Sequence, residues 1–414
     1  MKIAATQYAL SHMGKALLWV AADNYTLYYL TNIVRLPAAT AAWFFLGLLF
    51  WSAACDLGVG WLCDHLSPGP RTLRIVIKIA AFIAAAAFAT TFVVPSSDRA
   101  GWIWLALSSF LFRTAYSVFD VPHNTLLARL VEAGAAAMPL SSARLGLNMV
   151  ATLIATCAAP WLLLPDAALS HDRFAWGAIG LAVVSGATIL AGVPNVRRPV
   201  GEASCDERYR FAPLWAMFTV ATLGTLLVSI LFKGVFYFAD YTLDMPEWAP
   251  WALLLATLGK LVGAMAWGAV ARGRIGPLNA NRYACLATFA VAIMLIPARH
   301  QIGMMDAGIV MLGIALSGTV IAPWAALSER VAGQRNMGGA WFGLFTALSK
   351  IGIGVSGWLL AMLLSILNIT PSRGAEAWQG NVLFLVCIGI MAGGAALGFL
   401  LLTLFPSRAG SAPR

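Results

Sequence analysis

Long apolar blocks separated by short polar breaks run the length of the chain. The breaks carry turn chemistry: "SPGPR" after the second block, "VPSSDR" after the third, "RGRIGPLNANR" after the eighth. Blocks of about 20 apolar residues are what a helix needs to cross a bilayer core. The hydrophobicity is continuous and not alternating, which predicts helices rather than barrel strands. The pattern predicts an all-α membrane protein of twelve spans, at 8–31, 38–62, 74–95, 101–124, 141–165, 174–194, 213–239, 248–271, 283–298, 306–327, 339–366 and 381–405. The longest polar break, "NVRRPVGEASCDERYR", falls at 195–210. It divides the chain into a six-helix bundle at 1–194, a central loop at 195–212 and a second six-helix bundle at 213–414.

Composition sharpens this. Apolar residues make up 60% of the chain and charged ones 11%, and the mean hydropathy of +0.81 excludes an ordinary soluble domain. The net charge of +10 would suggest a nucleic-acid partner in a soluble protein. Here the basic residues fall mainly in short loops between apolar blocks, so membrane topology accounts for them and no nucleic acid is expected. Lys and Arg distribute fifteen to five in favour of the side that holds both termini. That side is expected to be the cytoplasm, with the protein in the inner membrane of a bacterium. The N-terminal stretch reads as a retained first helix, because Lys15 interrupts it and the apolar run continues into "YTLYYL". The six cysteines show no CxxC spacing and behave as small hydrophobes, so neither a disulfide framework nor a metal is expected. The five histidines form no HxxxH or HExxH pair, which argues against a membrane-embedded enzyme. No GxxxxGK[ST] stretch occurs, so no nucleotide motor and no cofactor are expected.

Some of the apolar blocks carry charges. An ionisable group inside a spanning helix costs roughly 2.5–3.5 kcal/mol on insertion scales, so such groups face a cavity or a partner. The first bundle has Lys15, Asp23, Asp56, Arg113, Asp120 and Arg144; the second has Lys233, Lys260 and Lys350. Ser52 and Asp56 are four residues apart and share a helix face, as do Ser117, Asp120 and Asn124. Pro122 loosens the backbone beside Asp120. Two helices that each present a carboxylate and hydroxyls suit a small cation or a proton. Asp23 is a candidate substrate contact or a structural lock with a Lys or Arg. Arg113 is expected to be the counter-ion of Asp23, Asp56 or Asp120. Lys233 and Lys260 are expected to snorkel to an interface. Trp19, Tyr25, Tyr28 and Tyr29 line a cavity or form an interfacial belt.

Internal repetition supports two related halves. "GWLCDHLSPGPR" after the second span and "AWGAVARGRIGP" after the eighth share a small residue and Trp at a helix end, then a Gly-Pro turn with basic residues. Six plus six spans is the layout of the major facilitator transporters. Gly60-x-x-x-Asp64 followed by Arg71 resembles that superfamily's cytoplasmic loop signature. Several stretches further resemble the glycoside–pentoside–hexuronide:cation symporters, the melibiose-permease branch: "YYLTNIVRLP" (28–37), "WSAACDLGVGW" (51–61), "YSVFDVPHNTLL" (116–127) and "QRNMGGAWFGLFTALSKIG" (334–352). The resemblance implies that Asp56 is the second helix-two carboxylate of the cation site, that Lys15, Asp120 and Arg144 contact substrate, and that Lys350 is the family's helix-eleven Lys. It also marks departures. Ser52 and Cys55 stand where the family has a carboxylate and an Asn, Ser117 is the helix-four hydroxyl, Ala16 replaces an acid and Asn124 a sugar-stacking Trp.

These readings converge on a secondary transporter working by alternating access on a small-molecule substrate. Asp56, Asp120, Ser52 and Ser117 form the coupling site; Lys15, Asp23, Asp120, Asn124, Arg144 and Lys350 form the substrate site. A site that has lost a carboxylate and an amide suits a proton better than sodium, so proton-coupled symport of a sugar-like or amphiphilic solute by a monomer in the lipid bilayer is expected. Transport of a siderophore, drug or lysolipid, and a non-transporting receptor or assembly factor on the same fold, are the alternatives. The direction of transport is open.

Overall fold

The computed structural model describes residues 2–30, 34, 36, 38–93, 99–163, 170–196, 212–245, 247–270, 275–332, 338–369 and 376–405. Most of the central loop expected at 195–212, including Ser204, lies outside the described residues, as do parts of the stretches 28–37 and 334–352. The described residues fold into twelve long helices: α1 (Lys2–Tyr28), α2 (Ala38–Leu66), α3 (Pro70–Val93), α4 (Arg99–Glu132), α5 (Ala137–Leu163), α6 (Ser170–Gly192), α7 (Ala212–Phe238), α8 (Trp248–Val270), α9 (Pro277–Ala298), α10 (Ile302–Val331), α11 (Gly338–Ile366) and α12 (Ala377–Leu404).

Local chemistry explains where the helices depart from the apolar blocks. α9 starts at Pro277, where a missing N–H costs nothing, and Gly276 precedes it in extended backbone. α4 passes through Pro122 and continues to Glu132, past the end of its apolar block. The proline removes the donor that would meet the Val118 carbonyl, and tertiary packing carries the helix across the gap. Ten of the helices are long and apolar enough to cross a membrane; α1 and α4 are not among them. Those two carry Lys15, Asp23, Arg113 and Asp120. Many large apolar side chains point outward, among them Trp43, Phe82, Leu107, Trp176 and Met265. In water such a surface would aggregate; against lipid tails it is the expected one.

The chain divides into two compact units. The first comprises residues 1–203 together with 327–350, so the first half of α11 belongs to it. Within it α1 packs on α5 and α6, α3 on α4 and α6, and α2 on α4. Its aromatic core joins Tyr29, Phe92 and Phe174, with Tyr29 edge-on to Phe92 at 4.9 Å. The Tyr25 hydroxyl donates to the Ala155 carbonyl. Tyr25 and Tyr29 are therefore core residues and do not form the interfacial belt that their position suggests; the Tyr28 side chain lies outside the described residues.

The second unit comprises 204–326 and 351–414. α12 packs on α7 and α9. Its core gathers Phe238, Trp248, Leu295, Met305, Phe384 and Met391, with the rings of Phe238 and Phe384 stacked at 4.2 Å. After α7 a π-turn at Ala239–Leu243 ends at Asp244, which takes a left-handed conformation.

Candidate functional site

The first unit assembles its polar side chains from α1, α2, α4, α5 and the start of α11. The crossing of α2 and α11 rests on glycines. Gly60 and Gly339 meet backbone to backbone, and a Cβ at Gly343 would collide with the Asp56 carbonyl. Lys350 follows Gly343 by seven residues, two turns along the same face. The close crossing therefore delivers its ammonium to Asp56. Lys350 Nζ lies 2.6 Å from Asp56 Oδ2 and donates to Ser52 Oγ at 2.8 Å and Ser117 Oγ at 3.5 Å. The rings of Trp19 and Tyr116 lie 5.2 and 5.6 Å from the ammonium. Asp56, Ser52 and Ser117 are fully buried, and Asp56 Oδ1 accepts no hydrogen bond from a described residue.

At the other end of the same crossing, the Asp64 carboxylate accepts the backbone N–H groups of Gly339 at 2.8 Å and Ala340 at 2.6 Å. An acid from α2 thus satisfies orphan donors at the start of α11 and complements that helix's dipole.

One turn along α4 from Ser117 stands a second ion pair. Lys15 Nζ lies 2.6 Å from Asp120 Oδ1 and donates to Asn124 Oδ1 at 2.7 Å. Asn124 Nδ2 closes the triangle by donating to Asp120 Oδ1 at 3.2 Å. The Tyr116 hydroxyl donates to the Lys15 carbonyl at 3.3 Å, tying α4 to α1. Asp56 and Asp120, both assigned to the coupling site from sequence, are each met by a lysine.

Next to this pair lies a cluster that motif spacing does not reveal. The rings of Tyr8 and His123 stack at 4.7 Å, with His12 at 6.1 Å from His123. Arg144 Nε donates to His12 Nε2 at 3.1 Å. An arginine is donor only, so His12 carries its proton on Nδ1. The Ser11 hydroxyl donates to the Tyr8 carbonyl at 2.9 Å and so accepts from His123 Nε2 at 2.7 Å, which leaves His123 Nδ1 a lone pair. Both Nδ1 atoms are buried without a hydrogen-bond partner among the described residues, and the Tyr8 hydroxyl faces Arg144. Tyr8, His12, Lys15 and Trp19 recur at spacings of four, three and four, one face of α1. That face was the available signal.

Arg113 makes no direct ion pair with a described carboxylate. Its buried guanidinium lies 4.8 Å from the Trp19 ring, 5.5 Å from Phe112 and 6.0 Å from Phe45. No described carboxylate lies within ion-pair distance, and its two terminal nitrogens have no hydrogen-bond partner among the described residues. Ring faces line the guanidinium, and the charges of Asp23 and Asp56 act on it from beyond ion-pair distance. Asp23 likewise makes no ion pair with a described residue, and its Oδ1 is buried without a hydrogen bond. Its expected lock with a Lys or Arg is reduced to a longer-range attraction for Arg113.

In the second unit, Lys260 Nζ lies 3.9 Å from the centre of the Phe232 ring, and Lys233 Nζ lies beside Gly357. Lys260 does not snorkel: it is the thirteenth residue of α8, about 15 to 18 Å from either end at 1.5 Å per residue, too far for a four-carbon stem. Among the described residues, no group of three His, Cys, Asp or Glu side chains is arranged to hold a metal ion.

Known proteins share this architecture. The proton:xylose symporter XylE superposes with a TM-score of 0.71 at 12% identity, covering 98% of this chain and 96% of that one. A bacterial homologue of the iron transporter ferroportin, in its outward-facing state, gives 0.70 at 16% identity, covering 98% and 100%. These likenesses establish the fold. Two Bacillus subtilis (strain 168) proteins are similar in sequence. The uncharacterized symporter YnaJ is 20% identical over 62% of this chain, an alignment spanning 58% of its own length, and the uncharacterized symporter YjmB is 21% identical over 88% and 83%. The family model for MFS/sugar transport proteins matches residues 7–193 and 206–407. The chain belongs to this family of major facilitator membrane transporters, which are not enzymes.

Proposed function

We propose that the protein is a proton-coupled symporter of a small sugar-like solute, with Asp56 as the proton acceptor. The names of the two similar Bacillus proteins support a symporter, and that of the family supports a sugar-like solute. The observation that carries the coupling ion is the position of Lys350. Its ammonium takes the carboxylate of Asp56 and the hydroxyl of Ser52, two of the oxygens that a sodium ion would require. A metal cation would have to displace a tethered cation at equal charge. A proton instead neutralises Asp56 and releases Lys350 from it. The second ion pair, Lys15 with Asp120, stands one turn away and senses the same change.

Substrate binding is assigned to Lys15, Asp120, Asn124 and Arg144, with His12 and His123 added. Together they offer donors and acceptors to a hydroxylated molecule. Lys350 is reassigned to the coupling pair. The test is uptake of labelled sugars and sugar acids into proteoliposomes with imposed pH or sodium gradients. Accumulation should follow the pH gradient and ignore sodium. Asp56→Asn should abolish accumulation but leave downhill exchange. Sodium stimulation at fixed pH, or full accumulation by Asp56→Asn, would overturn the proposal.

A further inference from the structure

One charge within a spanning helix has no part in the site above. Lys78 is the ninth residue of α3, about 12 Å from the helix start, inside an apolar stretch long enough to cross the membrane. Its side chain is half-buried, and no described carboxylate lies within ion-pair distance. A cation placed this way is costly until an anion or the membrane surface takes its charge.

Two more cations stand on the same face of α3. Arg71 and Arg74 precede Lys78 by seven and four residues. Neither meets a described carboxylate. Arg74 Nε donates to the Val193 carbonyl at 3.1 Å, just past the end of α6. That contact satisfies an orphan acceptor and fixes the guanidinium, and no described residue accepts from its terminal nitrogens. Beside the basic row runs an apolar one: Ile75, Ile79 and Phe82 are all exposed, a surface suited to lipid tails. Topology asks only that basic residues gather on one side of the membrane. It does not require three of them to share a row, enter the span and border exposed apolar side chains.

We propose that Arg71, Arg74 and Lys78 bind the phosphate of an anionic phospholipid whose acyl chain lies along Ile75, Ile79 and Phe82. The site lies within the first unit and is independent of the transport reading. Three cations without a carboxylate among them complement an anionic headgroup. The apolar row favours a lipid over a free phosphate ester, which would gain nothing from it. Arg74 offers a planar fork to phosphate oxygens. Side chains on a helix lean toward its N-terminus, so the Lys78 stem leads its ammonium back toward Arg74 and the surface. The distribution of Lys and Arg assigns this end of α3 to the cytoplasmic side, where anionic lipids gather.

The experiment uses the full-length protein in a neutral detergent. Native mass spectrometry measures binding of phosphatidylglycerol, of phosphatidylcholine and of glycerophosphate, which has the headgroup but no tails. Phosphatidylglycerol should bind about tenfold or more tightly than phosphatidylcholine, and glycerophosphate should not displace it. A basic residue at the membrane surface contributes about fivefold in affinity, so the double variant Arg71→Gln, Lys78→Gln should weaken phosphatidylglycerol binding about 25-fold. Arg74 is left in place because its loss would also free the end of α6. Arg71→Lys, Lys78→Arg keeps both charges and should stay within a few-fold of wild type. Arg272→Gln, Arg274→Gln removes equal charge elsewhere on the same expected side and should have little effect. Equal affinity for the two lipids overturns the proposal. So does a glutamine variant that binds like wild type or loses no more than the 272/274 control. A charge-keeping variant as weak as the glutamine one makes the loss a packing effect and also overturns it. Displacement by glycerophosphate overturns the lipid as the ligand.

Discussion

Lys350 holds its ammonium 2.6 Å from a carboxylate oxygen of Asp56, and neither side chain reaches solvent. Such a pair does not stabilise a fold by much, because desolvation offsets the attraction. Its removal is asymmetric. Lys350→Met should destabilise the protein by about 3–5 kcal/mol by stranding a buried anion. The double variant Asp56→Asn, Lys350→Met should recover most of that loss. Thermal unfolding in detergent measures both, and a single variant as stable as the double one would contradict the pairing.

Arg144 and His12 form a second testable relationship. Arg144→Lys should lose most transport, since an ammonium cannot reproduce the guanidinium fork. His12→Gln keeps an acceptor within reach of Arg144, whereas His12→Phe leaves a buried donor unmet at a cost of about 1–3 kcal/mol. The phenylalanine variant should therefore be the less stable and the less active. Equal behaviour in unfolding and uptake would show that the contact is unimportant.

Arg113 should tolerate loss of charge better than loss of shape. It rests on rings, so Arg113→Met should change stability by less than Trp19→Ala, which opens a cavity worth about 3–5 kcal/mol. Melting temperatures of the two variants decide this.

The distribution of basic residues predicts that both termini and the central loop lie in the cytoplasm. In a background without native cysteines, Ser204→Cys should react with an impermeant reagent in inside-out vesicles and not in intact cells. Labelling of intact cells would refute the orientation.

The helices were legible because lipid imposes one strong rule: about 20 apolar residues make a span. Even α1 and α4, which carry the most charge, were visible: α1 from the apolar run that continues past Lys15, and α4 from the turn that precedes it. Polar stripes were legible too. Ser52 with Asp56, and Ser117 with Asp120 and Asn124, follow from helical spacing alone. Their partners were not. Lys15 meets Asp120, and Lys350 meets Asp56, across long separations that no local pattern encodes. His12 and His123 escaped notice because they were sought as a metal pair on one helix, whereas they come from α1 and α4 and their chemistry is hydrogen bonding. The rings around Arg113 were not legible either: Trp19 and Phe45 reach it from α1 and α2, while Asp23 and Asp56 act on it only at longer range.

The contact between Asp64 and the start of α11 has a further consequence. Its acceptor is a side chain but its donors are the main-chain N–H groups of residues 339 and 340. Nearly any amino acid supplies the same N–H. Substitutions at 339 and 340 that respect the close crossing therefore leave the latch intact, and proline alone would delete a donor outright. No charge-swapped partner can rescue Asp64→Lys, because there is no partner side chain to swap. Half of this interaction is invisible to selection on side-chain identity. Comparison of related sequences for positions that change in concert would pass over it, although it joins helices far apart in the chain.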